Sequence, residues 1–222
     1  PRATAAGPGS FSMPDSQYVR VGSGPVLLAA PLLEPVARRG QDWLNRQVVD
    51  LPGTEVSSVT HKRADGSTYG VSLDTNGVFS GSGSLADQPI NGPGASQWMG
   101  SLQGFTFTSL ADPKADRAPL GLDRADVTTL RTKDGLIVTA TVGGTNELGE
   151  RYALFSAEVA EGASTSAAPR AAELNARLQP WTYLISANSA QSLAMLREQL
   201  IAATSATNAP LAAPSATPPG TP

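Results

Sequence analysis

Hydrophobic and polar positions alternate most sharply in two stretches, and each reads as a β-hairpin. In the first, residues 56–62 are rich in β-branched side chains and Ala64, Asp65 and Gly66 supply a tight reversal. The return strand then alternates Tyr69, Val71 and Leu73 with Thr68, Gly70 and Ser72, which gives one apolar face. In the second, Val127 and Leu130 precede an Asp134-Gly135 turn. Leu136, Val138, Ala140 and Val142 then share one face, and Ile137, Thr139 and Thr141 share the other. An offset of 71 residues carries Val56 onto Val127, and the turns differ by a two-residue change that a hairpin loop absorbs. This pattern predicts an internal duplication.

The flanking segments extend both hairpins in the same order. After the first, residues 77–80 form a third strand, 81–92 a loop, and 96–102 a short helix that turns Trp98, Met99 and Leu102 inward. Phe105, Phe107 and Leu110 then alternate as a strand. After the second, residues 151–157 are the third strand, 171–178 the helix and 181–185 the last strand. Ahead of both, Tyr18, Val19 and Val21 lead into Gly22-Ser23-Gly24 and a short hairpin that ends near residue 30. Trp43, Leu44, Val48 and Val49 sit at near-helical spacing before Pro52-Gly53 breaks the pattern. A final helix is expected over 189–202, capped by Asn188 or Ser189, with Leu193, Leu196 and Leu200 on one face.

The chain therefore reads as an α+β protein: two related strand-strand-strand-helix-strand units with antiparallel hairpins, plus a C-terminal helix. Residues 1–16 are a flexible lead-in and 17–120 the first unit with its preceding hairpin. Residues 121–203 are the second unit with the terminal helix, and 204–222 a disordered Pro/Ala/Thr tail.

Composition narrows the chemistry. The 222 residues are 40% apolar and only 5% aromatic, with 22 Gly and 18 Pro. A net charge of −3, with basic residues clustered only at Arg38-Arg39 and Lys62-Arg63, lacks the stripe that a phosphate backbone requires, so nucleic acid is not an expected partner. No apolar run approaches the roughly 20 residues of a membrane span, and no basic and apolar leader precedes Tyr18. The absence of Cys removes disulfides, thiolate nucleophiles and sulfur-ligated metals together.

Candidate functional residues are few. His61 is the sole histidine, so any Ser-His-Asp or His-metal chemistry must pass through it. It shares a strand face with Val59, which favours a semi-buried filler or hydrogen-bonded edge residue, and no Gly-x-Ser-x-Gly elbow is present. The glycines at 81–84 and 92–94 lack the Lys-Ser/Thr of a phosphate loop and read as flexible loop. Asp112, Asp116, Asp123 and Asp126 lack the spacing of a calcium loop and read as solvated connector charge. Trp43, Trp98 and Trp181 could form a binding platform, but their surroundings favour packing. No catalytic, cofactor-binding or metal-ligating residue is assigned, and no cofactor is expected.

The stretches SQYVRVGSG, DWLNRQVVDLP, VSSVTHKRADG, LQGFTFTSL, DGLIVTATV and AAELNARLQPWTYLI, in this order and spacing, resemble the domain of unknown function 4340 family over roughly residues 17–202. The resemblance implies an extracytoplasmic protein, periplasmic in a proteobacterium, often encoded beside gliding-type ABC transporter components. It implies no catalytic residues. Members usually carry an N-terminal membrane helix and a further repeat upstream of the segment matched by Tyr18, Val19 and Arg20, and neither stands in residues 1–16. Many have Pro and Lys where this chain has Ser186 and Ser189. The expected function is a non-catalytic extracytoplasmic interaction or accessory module with membrane-protein partners, associated with an ABC-type transporter. The alternatives are an envelope-glycan or peptide binder, or a hydrolase using His61; the small-molecule ligand, if any, is unknown.

Overall fold

The computed structural model describes residues 17–20, 22–29, 44–112, 118–179 and 181–203. The expected lead-in over 1–16 and tail over 204–222 lie outside them. Contacts divide the chain into two units, 1–45 and 46–222.

In the first unit, β1 (Gln17–Arg20) pairs antiparallel with β2 (Val26–Ala29), the hairpin expected around Gly22. Gly22 takes a φ of +57° there, a left-handed conformation that costs glycine little. Tyr18 faces Leu28 across the ladder and Arg20 faces Val26, so Tyr18, Arg20, Val26 and Leu28 share one side.

In the second unit, β4 (Val56–Lys62), β5 (Thr68–Leu73) and β6 (Phe79–Gly83) form one meander. The second meander is β9 (Asp126–Thr132), β10 (Leu136–Thr145) and β11 (Arg151–Val159). With β8 (Ser109–Leu110) and β12 (Tyr183–Ile185), they build one antiparallel sheet of eight strands in the order β6-β5-β4-β9-β10-β11-β12-β8. The expected strand-strand-strand-helix-strand order occurs twice. The two meanders are halves of one sheet, zipped together by β4 and β9. Alternation sets the faces: Val59, His61, Tyr69, Val71, Leu130, Leu136, Val138 and Ala140 are buried, whereas Thr60, Lys62 and Arg131 are exposed.

The helices are α1 (Gly92–Met99), α2 (Ala167–Leu178), α3 (Ala187–Leu193) and α4 (Arg197–Leu200). Helix α1 starts four residues earlier than expected, because Gly92-Pro-Gly94 is its first turn and not a flexible loop. A Cβ on Gly94 would lie 2.6 Å from the Gln199 carbonyl oxygen, so glycine allows the close approach of α1 to α4. The glycines at 81–83 likewise belong to β6, which begins at Phe79 and runs past the expected end at Ser80.

Three expected elements take another form. Val48 and Val49 are not helical: β3 (Gln47–Val49) pairs with β7 (Phe105–Thr106) in a separate two-stranded sheet. A short run of apolar, β-branched residues fits either period, and here the ladder partner decides. The strand expected through Phe105, Phe107 and Leu110 changes sheets midway, since Phe105 belongs to β7 and Leu110 to β8. The single C-terminal helix is broken at Ala194, Met195 and Leu196, and the cap is Ser186, whose hydroxyl accepts from the Ser189 amide at 3.0 Å. Buried donors capture the carbonyls at the break. Leu193 O receives Trp98 Nε1 at 2.8 Å, and Met195 O receives the Tyr69 hydroxyl at 2.8 Å. The break turns Met195 inward and leaves Leu196 44% exposed, while Leu193 and Leu200 stay buried.

Candidate functional site

His61 stands on a central strand and is only 2% exposed, deeper than a semi-buried filler or an edge residue. Strand β4 brings it opposite Thr128 on β9, and its Nδ1 lies 2.9 Å from Thr128 Oγ1. That hydroxyl donates to Leu193 O at 3.0 Å, at the end of α3. Its one proton is thereby used, so the imidazole must donate from Nδ1 and carries its lone pair on Nε2. The Tyr69 ring packs at 5.2 Å from the imidazole, and Arg63 lies 5.5 Å over Tyr69. Burial pushes the imidazole below its ordinary pKa of 6.5; Asp126 opposes that shift and Arg63 adds to it.

Beside the ring lies a cavity of about 280 Å³ whose polar lining includes His61, Asp126, Thr128, Arg151 and Gln191. Val142 and the alanines of α3 form its apolar side. Strand β9 supplies Asp126 two residues before Thr128, on the same face, and Asp126 Oδ1 accepts from the Ala64 amide at 3.0 Å. Strand β11 supplies Arg151, whose Nε donates to Gly143 O at 2.7 Å. Among the described residues, Arg170 makes the two ion pairs, to Glu55 and Asp134, so Asp126 and Arg151 enter the cavity as separate charges.

The hydrogen-bond direction limits the chemistry. In a nucleophile-base pair the hydroxyl donates to the imidazole, whereas here the imidazole donates to the hydroxyl. Thr128 is therefore oriented away from activation by His61. The cavity offers instead one acceptor nitrogen, one carboxylate and one guanidinium, a set suited to holding a polar guest.

The other singled-out residues lie elsewhere. Trp98 is fully buried in the core as expected, but Trp181 is 42% exposed, and Trp43 lies outside the described residues. Of the acidic stretch, Asp126 joins the cavity, Asp112 and Asp123 are exposed, and Asp116 lies outside the described residues. No group of three or more His, Asp or Glu could hold a metal ion among the described residues. No described helix is long and apolar enough to cross a membrane. Arg151 carried no sequence signal. Thr128 carried only its place in the strand expected ahead of the Asp134-Gly135 turn.

The fold and site thus define an α+β protein built on one large antiparallel sheet with a polar cavity beside its only imidazole. Comparison with family models, curated proteins and solved structures finds no match for the chain.

Proposed function

We propose that this chain is a non-catalytic, extracytoplasmic interaction module of a membrane assembly associated with an ABC-type transporter. The observation that carries the reading is the β1-β2 hairpin, where Tyr18, Val26 and Leu28 share one side and are 57–64% exposed. An isolated two-stranded hairpin is marginal in water, and a cluster of large apolar side chains left open marks a contact surface. Full burial of such a side chain stabilises by about 1.5–3 kcal/mol, so covering the open share of these three recovers about 3–5 kcal/mol. Association itself costs about 4–15 kcal/mol, so the hairpin anchors a larger interface and does not suffice alone. Its outer backbone edges, which pair with no other strand among the described residues, offer the remaining contacts, because a partner strand can extend the two-stranded ladder.

The extracytoplasmic location and the transporter association rest on the resemblance to the domain of unknown function 4340 family. The inferred internal duplication is supported by the sheet register. The 71-residue offset carries Val59 onto Leu130, and these two residues are direct cross-strand partners. The matched strands thus meet antiparallel at equivalent positions, the local two-fold arrangement expected of a duplicated hairpin. The loops support it too, with five residues at 63–67 and three at 133–135.

Native pull-down from membranes tests the reading. Wild type retains a membrane-protein partner and Tyr18→Ser/Leu28→Ser loses it; a partnerless wild-type monomer contradicts the proposal.

A further inference from the structure

We infer that the cavity beside His61 is a binding site for a small zwitterion, a molecule carrying a free ammonium and a free carboxylate, such as an amino acid or dipeptide. Three groups with spare hydrogen-bonding capacity around one cavity point to this class. His61 Nε2 has no hydrogen-bond partner among the described residues, although its ring is almost wholly buried. Among the described residues Arg151 uses only Nε, which leaves its terminal nitrogens to donate in pairs. Among the described residues Asp126 uses only Oδ1, which leaves Oδ2 to accept.

The charges are placed to receive two ends of one guest. Asp126 pairs with Val142, Val142 pairs with Ala153, and Arg151 lies two residues before Ala153. Two strand spacings and two residue rises put the Asp126 and Arg151 backbones about 12 Å apart, and among the described residues their side chains form no ion pair with each other, Arg151 Nε being held by Gly143 O. A carboxylate on Arg151 and an ammonium shared by Asp126 and the lone pair of His61 fill that gap. The neutral ring that burial favours is the form able to accept from the ammonium. At about 30 Å³ per water, a 280 Å³ cavity holds about nine waters, the scale of a small metabolite. The alanine-lined side contributed by α3 leaves room for a short apolar side chain. This role is independent of docking through the hairpin.

The test is an NMR titration of the full ¹⁵N-labelled chain with L-alanine, L-alanyl-L-alanine, N-acetyl-L-alanine and L-alaninamide. At least one of the two zwitterions shifts the amides of Thr145, Ala187, Ala190 and Gln191, and which one does so separates amino acid from dipeptide. The analogues that lack one charge bind at least tenfold more weakly. Arg151→Gln weakens zwitterion binding at least tenfold and removes the preference over L-alaninamide, with the spectrum reporting that the fold is kept. The inference is overturned by an absence of cavity shifts up to about 10 mM, a concentration that detects binding of about −3 kcal/mol. It is equally overturned if either single-charge analogue binds as well as the zwitterions, or if a folded Arg151→Gln binds unchanged.

Discussion

Replacing Thr128 with Val removes one buried hydroxyl and almost no volume, which isolates the hydrogen bonds at the candidate site. In the wild type, Oγ1 accepts from His61 Nδ1 at 2.9 Å and donates to Leu193 O at 3.0 Å. Leu193 O keeps a second donor, Trp98 Nε1, so the loss falls mainly on the imidazole. A buried donor stripped of its acceptor costs about 1–3 kcal/mol. The ring can limit that by moving its proton to Nε2, where water in the cavity can accept it. Thr128→Val is therefore expected to destabilise by about 1–2 kcal/mol, which for a body of this size lowers Tm by about 2–8 °C. Thr128→Ser keeps the hydroxyl and loses about 1 kcal/mol of methyl packing. Stability alone does not separate the two variants, but long-range ¹H–¹⁵N correlations of the imidazole do. Wild type and Thr128→Ser carry the proton on Nδ1, and Thr128→Val carries it on Nε2. A wild-type ring protonated on Nε2 would refute the reasoning: Thr128 would then donate to His61, the arrangement of a nucleophile and its base.

Three further outcomes are expected. The folded-state pKa of His61 lies below its unfolded value of 6.5, so the unfolded chain takes up a proton first as the pH falls. His61 then leaves stability unaffected well above pH 6.5 and removes up to about 1.4 kcal/mol per pH unit below it, until the folded ring also protonates; urea unfolding from pH 7.5 to 5.5 checks this, and His61→Gln should flatten that part of the profile. Gly94→Ala places a Cβ 2.6 Å from Gln199 O and should lower stability by about 1–3 kcal/mol despite the better helix propensity of Ala, with enhanced hydrogen exchange in α4. Ser186→Ala removes the cap of α3 at a cost of about 1 kcal/mol, measured by thermal unfolding; no change in Tm would contradict the capping role.

The parts of the fold legible in the sequence are those fixed locally. Alternation and a left-handed glycine define each hairpin: Gly66 and Gly135 take φ of +87° and +92°, as their Asp-Gly turns require. The break between α3 and α4 was not legible, because it depends on Trp98, Tyr69 and Thr128 reaching the carbonyls of Leu193 and Met195 from distant segments. The helical reading of Val48 and Val49 failed for a related reason, since β3 pairs with β7, where Phe105, the partner of Val49, is more than fifty residues away. The site shows the same division. His61 stood out as the only residue of its kind, whereas its link to Thr128 depends on β4 pairing with β9. Arg151 joins them only because the second meander continues the same sheet. Nothing in its neighbours, Glu150 and Tyr152, points to a cavity.

Site-specific photo-crosslinking in intact membranes tests the interaction role most directly. A photoreactive phenylalanine at Tyr18, within the exposed hairpin, is compared with one at Leu148, which is 84% exposed in the loop after β10. Adducts to a membrane protein from position 18 and none from position 148, identified by mass spectrometry, are the outcome the interaction role predicts. Equal labelling from both positions, or no adduct from either, would contradict it.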